Sequence, residues 1–495
     1  MAVILSGAKD LITVALLSII INVVRCFAML SMTDRKNIVI LGGAESGVGA
    51  ALLAQAKGHA VFVSDRSPIQ EQYKAKLTAA GIEFEENQHT LERILQAGEV
   101  IKSPGIPEKA PVIQALRERN IPIISEIEFA GRYTRSKSIC ITGTNGKTTT
   151  TLLTYHLLKS AGLKVSLAGN VGFSLAEQVI ADAHDYYVVE LSSFQLDDTH
   201  DFQPWIAVLL NITPDHLDRY GYSLESYAQA KLRITRNLDS SGAFVYNADD
   251  EVTGQYFQSA FLETRQLPFS LHHRRDVHLA GYYTAEHQLC TNLAPGFDEE
   301  SGVEISTAHS PLIGQHNRQN TLAAVLAARV AGLEPEQIEA ALATFQNADH
   351  RLQLVGEING VRFINDSKAT NVEAAWYALD GIRQPIVWIA GGTDKGNDYS
   401  SLLGLAESRV KALICLGVDN SKLRAAFGNV VPHLEETQRM ADAVARAAAL
   451  AAPGDVVLLS PCCASFDLFK NYEDRGRQFA AAVQELSRRQ TAEPA

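Results

Sequence analysis

Seven consecutive residues, Gly143-Thr144-Asn145-Gly146-Lys147-Thr148-Thr149, combine two glycines, a lysine and three hydroxyls. Glycines let backbone N–H groups turn inward around a phosphate, and Lys147 adds a full positive charge. The hydroxyl of Thr148 is placed to hold Mg²⁺. This composition suits the gripping of a nucleoside triphosphate. The general pattern G-x-x-x-x-G-K-[ST] asks for glycine where Ile141 stands, so the loop is a shorter variant.

Such a loop needs a strand to enter it and a helix to leave it. Residues 138–141 predict the strand and residues 150–159 the helix. Other apolar runs end the same way, in polar residues. The strand predicted over 186–189 ends at Glu190, an expected place for an acid that binds Mg²⁺. Residues 205–210 run into Asn211-Ile212-Thr213-Pro214-Asp215-His216. Taken alone, His216 reads as a capping or buried histidine, and Lys231, on a predicted helix, as a solvated face. Residues 361–364 run into Asn365-Asp366-Ser367-Lys368, 385–390 into Gly391-Gly392-Thr393-Asp394-Lys395, and 456–459 into Ser460-Pro461. Asp366, Lys368 and Lys395 at separate strand ends suggest a second anionic site, though turn formers and caps explain the pattern equally well. Ser67 and Asp455 read as ordinary turn residues.

Upstream, residues 37–41 predict a strand, then comes a glycine-rich turn over 42–49, a helix, and a strand over 60–64 ending at Asp65. This is the layout of a Rossmann-like nucleotide-binding unit. The middle glycine of G-x-G-x-x-G falls on Ala44, which counts against a nicotinamide-dependent oxidoreductase built on this block. Residues 101–106 read as a later strand entering a tight turn.

Strands alternating with helical runs predict an α/β protein with parallel sheets throughout. The Ala-rich run 441–452 predicts a helix ended by Pro453-Gly454. A length of 495 residues implies two to four domains. The net charge of −12 leaves no basic excess for nucleic acid. The six cysteines are scattered, which suits packing residues in a reducing cytoplasm rather than a disulfide framework or zinc site. Residues 11–24 are nearly all apolar but shorter than the roughly 20 residues of a bilayer span. Residues 1–31 are read as an upstream extension, with a weak membrane anchor, and hence a membrane-attached nucleotide switch, as the alternative.

The loop at 143–149 is similar to the ATP loop of the Mur ligases and the related folylpolyglutamate synthases. Further motifs extend the resemblance: Glu190-Leu191-Ser192-Ser193-Phe194-Gln195-Leu196, Asp215-His216-Leu217-Asp218-Arg219-Tyr220, Ala230-Lys231-Leu232-Arg233, and Gly314-Gln315-His316-Asn317 with Asn320. Asn365-Asp366-Ser367-Lys368-Ala369-Thr370-Asn371 and Ser460-Pro461 through Ala464-Ser465-Phe466-Asp467 resemble the D-glutamate-adding branch of the Mur ligase family. Nothing like the Asp-Asn-Pro-Arg motif of the branch that adds diaminopimelate or lysine is present. The resemblance covers about residues 32–488.

The resemblance implies three domains, at 32–133 for a UDP-linked substrate, 134–347 for ATP and 348–495 for the amino acid, after the extension 1–31. It implies a cytoplasmic monomer that joins D-glutamate to UDP-N-acetylmuramoyl-L-alanine through an acyl phosphate, with ATP and two Mg²⁺ ions. By similarity Thr148 and Glu190 serve one Mg²⁺, and His216 and Lys231 the other, Lys231 as its carbamate; Lys147, His216 and Lys231 are catalytic. Gly143, Thr144, Asn145, Gly146, Lys147, Thr148, Thr149, Asn317, Asn320, Arg351 and Asp366 would contact ATP. Asn170, His216 and Ser192 would hold the muramoyl end, and Lys368, Thr370, Lys395, Ser465, Phe466 and Tyr472 the D-glutamate side. Uridine would meet Glu45, Ser46, Asp65, Arg66, Ser103 and Gly105. Three departures stand out: Asn347-Ala348-Asp349 before His350-Arg351 where Gly-Leu is frequent, Glu45 in an apolar position, and Tyr472 in place of phenylalanine.

Overall fold

The computed structural model describes residues 36–257, 262–272, 278–293, 302–312, 314–394 and 396–492. The expectations for the extension 1–31, its apolar run and Lys395 lie outside the described residues. The chain forms two compact units. One holds the described residues up to Ser136 together with Ala168–Ala183 and Ser193–Gln203; the other holds Lys137–Leu167, His184–Ser192 and the chain from Pro204 onward. Among the described residues, no helix is long and apolar enough to cross a membrane.

The first unit carries a five-stranded parallel sheet, β1 (Asn37–Leu41), β2 (Ala60–Ser64), β3 (Glu83–Glu85), β4 (Glu99–Lys102) and β5 (Ile123–Ile124), in the order β3-β2-β1-β4-β5. This is the expected Rossmann-like arrangement, with β1 between β2 and β4. The helix Glu45–Ala56 presses on the turn so closely that a Cβ on Gly47 would lie 1.9 Å from the Gly42 carbonyl oxygen. Asp65, just past β2, accepts a hydrogen bond from Gly43 N at 2.7 Å and so holds the turn. In the same unit the buried Glu128 carboxylate gathers three backbone donors, His200 N, Asp201 N and Phe202 N, at 2.9, 3.1 and 2.8 Å.

The second unit carries two sheets. The larger has β6 (Lys137–Thr142), β7 (Val165–Gly169), β8 (Tyr186–Glu190), β9 (Ile206–Leu209), β10 (Ala243–Asn247), β11 (Arg265–Phe269), β12 (Gly281–Ala285), β13 (Gln288–Thr291) and β14 (Val303–Ser306). Their order is β14-β13-β12-β11-β10-β9-β6-β8-β7. β6 lies between β8 and β9, with Ile141 level with Glu190 and Thr142 level with Leu209. The helix Lys147–Ser160 packs against Gln315–Val330, and the buried Leu153 and Leu157 of the one share a hydrophobic core with Ala323, Ala324, Ala327 and Ala328 of the other, whose Leu322 and Leu326 lie against Gly281 of β12.

The last sheet has β15 (Gln353–Ile358), β16 (Val361–Asn365), β17 (Ile386–Ala390), β18 (Val410–Leu416), β19 (Leu434–Thr437) and β20 (Val456–Leu459), in the order β15-β16-β20-β17-β18-β19. β16, β20 and β17 are adjacent, so three polar strand ends far apart in sequence become neighbours. The predicted alanine-rich helix spans Met440–Leu450. Cys140, Cys290, Cys415, Cys462 and Cys463 are buried free thiols.

The sheets are not parallel throughout. β12, β13 and β14 pair antiparallel, and so do β15 and β16. The physical reason is local. Asn359 and Gly360, at φ +51° and +74°, form a two-residue connection between β15 and β16, and two positive-φ residues favour a tight antiparallel hairpin. Replacing Glu128 with Ala strips the partner from three backbone donors of residues 200–202. We expect a loss of about 3 kcal/mol, read by urea denaturation.

Candidate functional site

The glycine-rich loop 143–146 follows β6 and precedes the helix Lys147–Ser160. Gly146 has φ +83°, and a Cβ there would lie 2.2 Å from Asn320 Oδ1. Both the backbone and the neighbour therefore demand glycine. Lys147 Nζ donates to the carbonyls of Gly143 and Thr144, each at 2.8 Å. Lys231, 1% exposed, donates to the same Gly143 oxygen at 2.8 Å and lies 4.6 Å from the centre of the Tyr227 ring. The solvated-face reading of Lys231 is thus wrong: its helix, Leu224–Leu232, turns this residue inward. Desolvation holds the Lys147 pKa below the usual lysine value, while Glu190 and Asp215 pull it back up.

Asn211, past β9, ties the loop from the other side. Its backbone oxygen accepts from Thr144 N at 2.9 Å, its Oδ1 from Asn145 N at 2.8 Å, and its Nδ2 donates to the Asn145 oxygen at 3.2 Å. The sequence offers no signal for this role beyond the position of a polar residue at a strand end. Glu190 is buried at the end of β8, beside the loop strand. His216 adopts φ +52° and its side chain is 44% exposed, with Nε2 3.7 Å from Asp215 Oδ2. It is therefore neither buried nor the side-chain cap of a helix.

Arg351 donates to Thr148 Oγ at 2.9 Å, and Thr149 Oγ donates to Asn347 Oδ1 at 3.2 Å. Asn317 and Asn320 are buried on the first turns of Gln315–Val330, with Asn320 Nδ2 donating to Asn317 Oδ1 at 3.2 Å. His316, beside them, is pushed down to about 4 by burial and then by Arg351.

At the adjacent ends of β16, β20 and β17 the buried Asp366 accepts from Ser460 Oγ at 2.9 Å and Leu352 N at 3.2 Å. Burial pushes its carboxyl up to about 7, against these hydrogen bonds and the pull of Arg351 and Arg475. Lys368 is pushed down to about 8 by burial and then by Arg351. Its Nζ stands 3.7 Å from the centre of the Tyr472 ring. Lys368 also feels Glu190 and Lys147, so the two polar clusters share one electrostatic neighbourhood. Thr370 N donates to the Lys368 oxygen at 2.9 Å. Ser465 is buried, whereas Phe466 is 72% exposed.

Arg475 was not expected from the sequence, where it reads as one more charge on a polar helix. It is buried, and it donates to Ser367 Oγ at 3.0 Å, the Ser367 oxygen at 2.9 Å, the Cys463 oxygen at 3.1 Å and the Gly391 oxygen at 3.4 Å. It therefore binds together all three strand ends.

In the first unit, Ser46 is the second residue of the helix Glu45–Ala56, Asp65 and Arg66 follow β2, and Ser103 and Gly105 follow β4. Because β2, β1 and β4 are adjacent and parallel, these residues share one sheet edge. Asn170 belongs to this unit and Ser192 to the other.

Asp366 generates a pH prediction. Its folded pKa of about 7 stands above the ordinary 3.8. Between those values the folded chain holds a proton that the unfolded chain has released, so this group costs stability as pH rises. We expect the stability of the wild type relative to Asp366→Asn to fall from pH 4 to pH 7. Urea unfolding at several pH values reads the difference.

Comparison with known proteins gives three family matches: the Mur ligase MurD-like N-terminal domain over residues 36–125, the Mur ligase middle domain over 141–328, and the Mur ligase glutamate ligase domain over 350–463. The UDP-N-acetylmuramoylalanine--D-glutamate ligase of Bacteroides fragilis is 51% identical over 452 residues, covering 91% of this chain and 100% of that protein. The ligases of the same name from Porphyromonas gingivalis and Salinibacter ruber are 50% and 40% identical, each over 91% of this chain and over 99% and 98% of their own. Among solved structures, the UDP-N-acetylmuramate-alanine ligase of Thermotoga maritima shares the fold, with a TM-score of 0.59, 18% identity, and coverage of 91% of this chain and 100% of its own. The MurF ligase of the same organism, in complex with ADP, has a TM-score of 0.57 and 15% identity, covering 87% and 96%. With identity of this level over 91% of its length and three family matches along it, the chain belongs to the Mur ligase family.

Proposed function

We propose that this chain joins D-glutamate to UDP-N-acetylmuramoyl-L-alanine at the expense of ATP, in peptidoglycan precursor synthesis. One observation carries the reading: relatives of that name are about half identical to it along their full length. It works as a cytoplasmic monomer of three domains, 32–133 for the UDP-linked substrate, 134–347 for ATP and 348–495 for D-glutamate.

A carboxylate is a poor electrophile, so a phosphate is first installed on it as a leaving group. The γ-phosphoryl group of ATP passes to the terminal carboxylate of UDP-N-acetylmuramoyl-L-alanine, giving an acyl phosphate and ADP. The amine of D-glutamate attacks that carbon through a tetrahedral intermediate, and phosphate departs. The enzyme's part is positioning and charge neutralisation. Residues 143–149 cradle the phosphates, with Lys147 swinging from the Gly143 and Thr144 carbonyls to them. Arg351, Asn317, Asn320 and Asp366 hold the rest of the nucleotide. Ser192, His216 and Asn170 hold the muramoyl end, and Ser46, Asp65, Arg66, Ser103 and Gly105 the uridine. Lys368, Thr370, Lys395, Ser465, Phe466 and Tyr472 receive D-glutamate.

The Thr148 hydroxyl and Glu190 carboxylate are hard oxygen donors that fit Mg²⁺. His216 and Lys231 would serve a second ion, but the Lys231 ammonium is a hydrogen-bond donor and cannot ligate a cation. Addition of CO₂ to its neutral amine replaces the cation with an anionic oxygen ligand, which fits. Bound Mg²⁺ supplies neutralisation of the charge that develops on the phosphoryl oxygens.

With ATP, Mg²⁺ and UDP-N-acetylmuramoyl-L-alanine, phosphate release should depend on D-glutamate; release with another amino acid and none with D-glutamate rejects the proposal. Lys231→Ala should lose about a hundredfold or more in kcat, and short carboxylates added to the assay should restore part of it. Full activity in the untreated variant rejects the carbamate role.

A further inference from the structure

Glu373 is the second residue of the helix Val372–Gly381. An acid there ordinarily serves the helix dipole. The cap is already filled, since Asn371 Oδ1 accepts from Ala374 N at 2.8 Å. The Glu373 carboxylate reaches away from its own sheet instead. Its Oε2 accepts from Asn145 Nδ2 at 2.6 Å, inside the phosphate loop, and from the hydroxyl of Thr213, past β9. Its Oε1 lies 3.5 Å from the Tyr377 hydroxyl. Burial pushes the Glu373 carboxyl up, and the bonds from Thr213 and Asn145 oppose that shift.

Asn145 is thus held from two directions: its backbone N–H and C=O by Asn211, and its side chain by Glu373. Thr213 is fixed to the loop as well, its N–H donating to Thr144 Oγ at 3.0 Å. Glu373 also ends the segment that begins with Asp366 and carries Lys368 and Thr370. One carboxylate therefore joins the amino-acid side of the site to the loop that grips the triphosphate.

We propose that Glu373 is a positioning residue, a latch that seats the segment 366–373 on the phosphate loop and so sets ATP and D-glutamate sites in one arrangement. This rests on the ligase reading given above. A latch of this kind governs the fraction of enzyme in the competent arrangement. Apparent affinities change by that fraction, and the saturated rate does not.

The test is steady-state kinetics of Glu373→Ala, Glu373→Gln, Thr213→Val and the double variant Thr213→Val/Glu373→Ala, with melting temperatures alongside. Removing two hydrogen bonds to a charged acceptor should raise the KM for ATP and for D-glutamate by about tenfold or more, with kcat within about threefold. Glu373→Gln keeps one acceptor oxygen and should restore most of the affinity. Thr213→Val should raise both KM values less, and the double variant should fall short of the sum of the singles. A folded Glu373→Ala with wild-type KM values, a loss confined to kcat, or strict additivity overturns the latch. If Glu373→Ala does not fold, Thr213→Val decides: raised KM values support the latch and unchanged ones overturn it. Binding of Mg-ADP by the same variants separates the two readings. If the wild type releases no phosphate with D-glutamate, the ligase reading fails, while a weakened Kd for Mg-ADP in Glu373→Ala still upholds the latch and an unchanged Kd overturns it.

Discussion

Two lysine ammonium groups, from Lys147 and Lys231, share the carbonyl oxygen of Gly143. Like charges repel at such range, and each loses hydration when surrounded by protein. The surrounding architecture answers that cost. β8 ends in the buried Glu190 beside the loop strand, and Asp215 lies where its charge steadies Lys147. Tyr227 turns its ring face to Lys231. The loop that offers the carbonyl is braced by Asn211 on one side and Asn320 on the other. Of the two, Lys147 lies on the loop itself and is the cation that suits a triphosphate.

The last sheet solves a different problem, that of convergence. Residues near positions 366, 391 and 463 are remote in sequence, and the order β16-β20-β17 makes them adjacent. Adjacency alone leaves three loose turns. Arg475 donates to all three, and Asp366 accepts from Ser460 across the β16–β20 pair. Its raised pKa reflects how fully this cluster is withdrawn from water.

Much of this was legible in the sequence because the signals are local. A glycine-rich turn after an apolar run marks the loop between β6 and the helix Lys147–Ser160, and Glu190 and Asp366 stand at strand ends that hydrophobic patterning locates to within about two residues. The parallel-sheet expectation failed at β12–β14 and β15–β16, even though Asn359-Gly360 is a recognised hairpin signal. The residues that spacing could not reveal act over long separations. Arg475 and Glu373 look like ordinary helix-surface charges until the chain is folded. Lys231 likewise reads as solvated from helical spacing, and only the motif around it pointed inward.

The hairpin at Asn359-Gly360 has a reach beyond its own turn. With two residues in the connection and a one-residue bulge between Leu354 and Gly356, Gln353 pairs with Asn365, and the chain entering β15 meets the chain leaving β16. Leu352 N then falls on Asp366 and His350 Nδ1 on the Asn365 amide, which leaves Arg351 aimed at Thr148. The hairpin behaves as a caliper whose hinge lies about 20 Å from its jaws, at roughly 3.4 Å per residue. A single inserted residue at the hinge would slip the register and reverse which faces meet. The grip of the Arg351 guanidinium on Thr148 is thereby calibrated by a turn about six residues away along each strand.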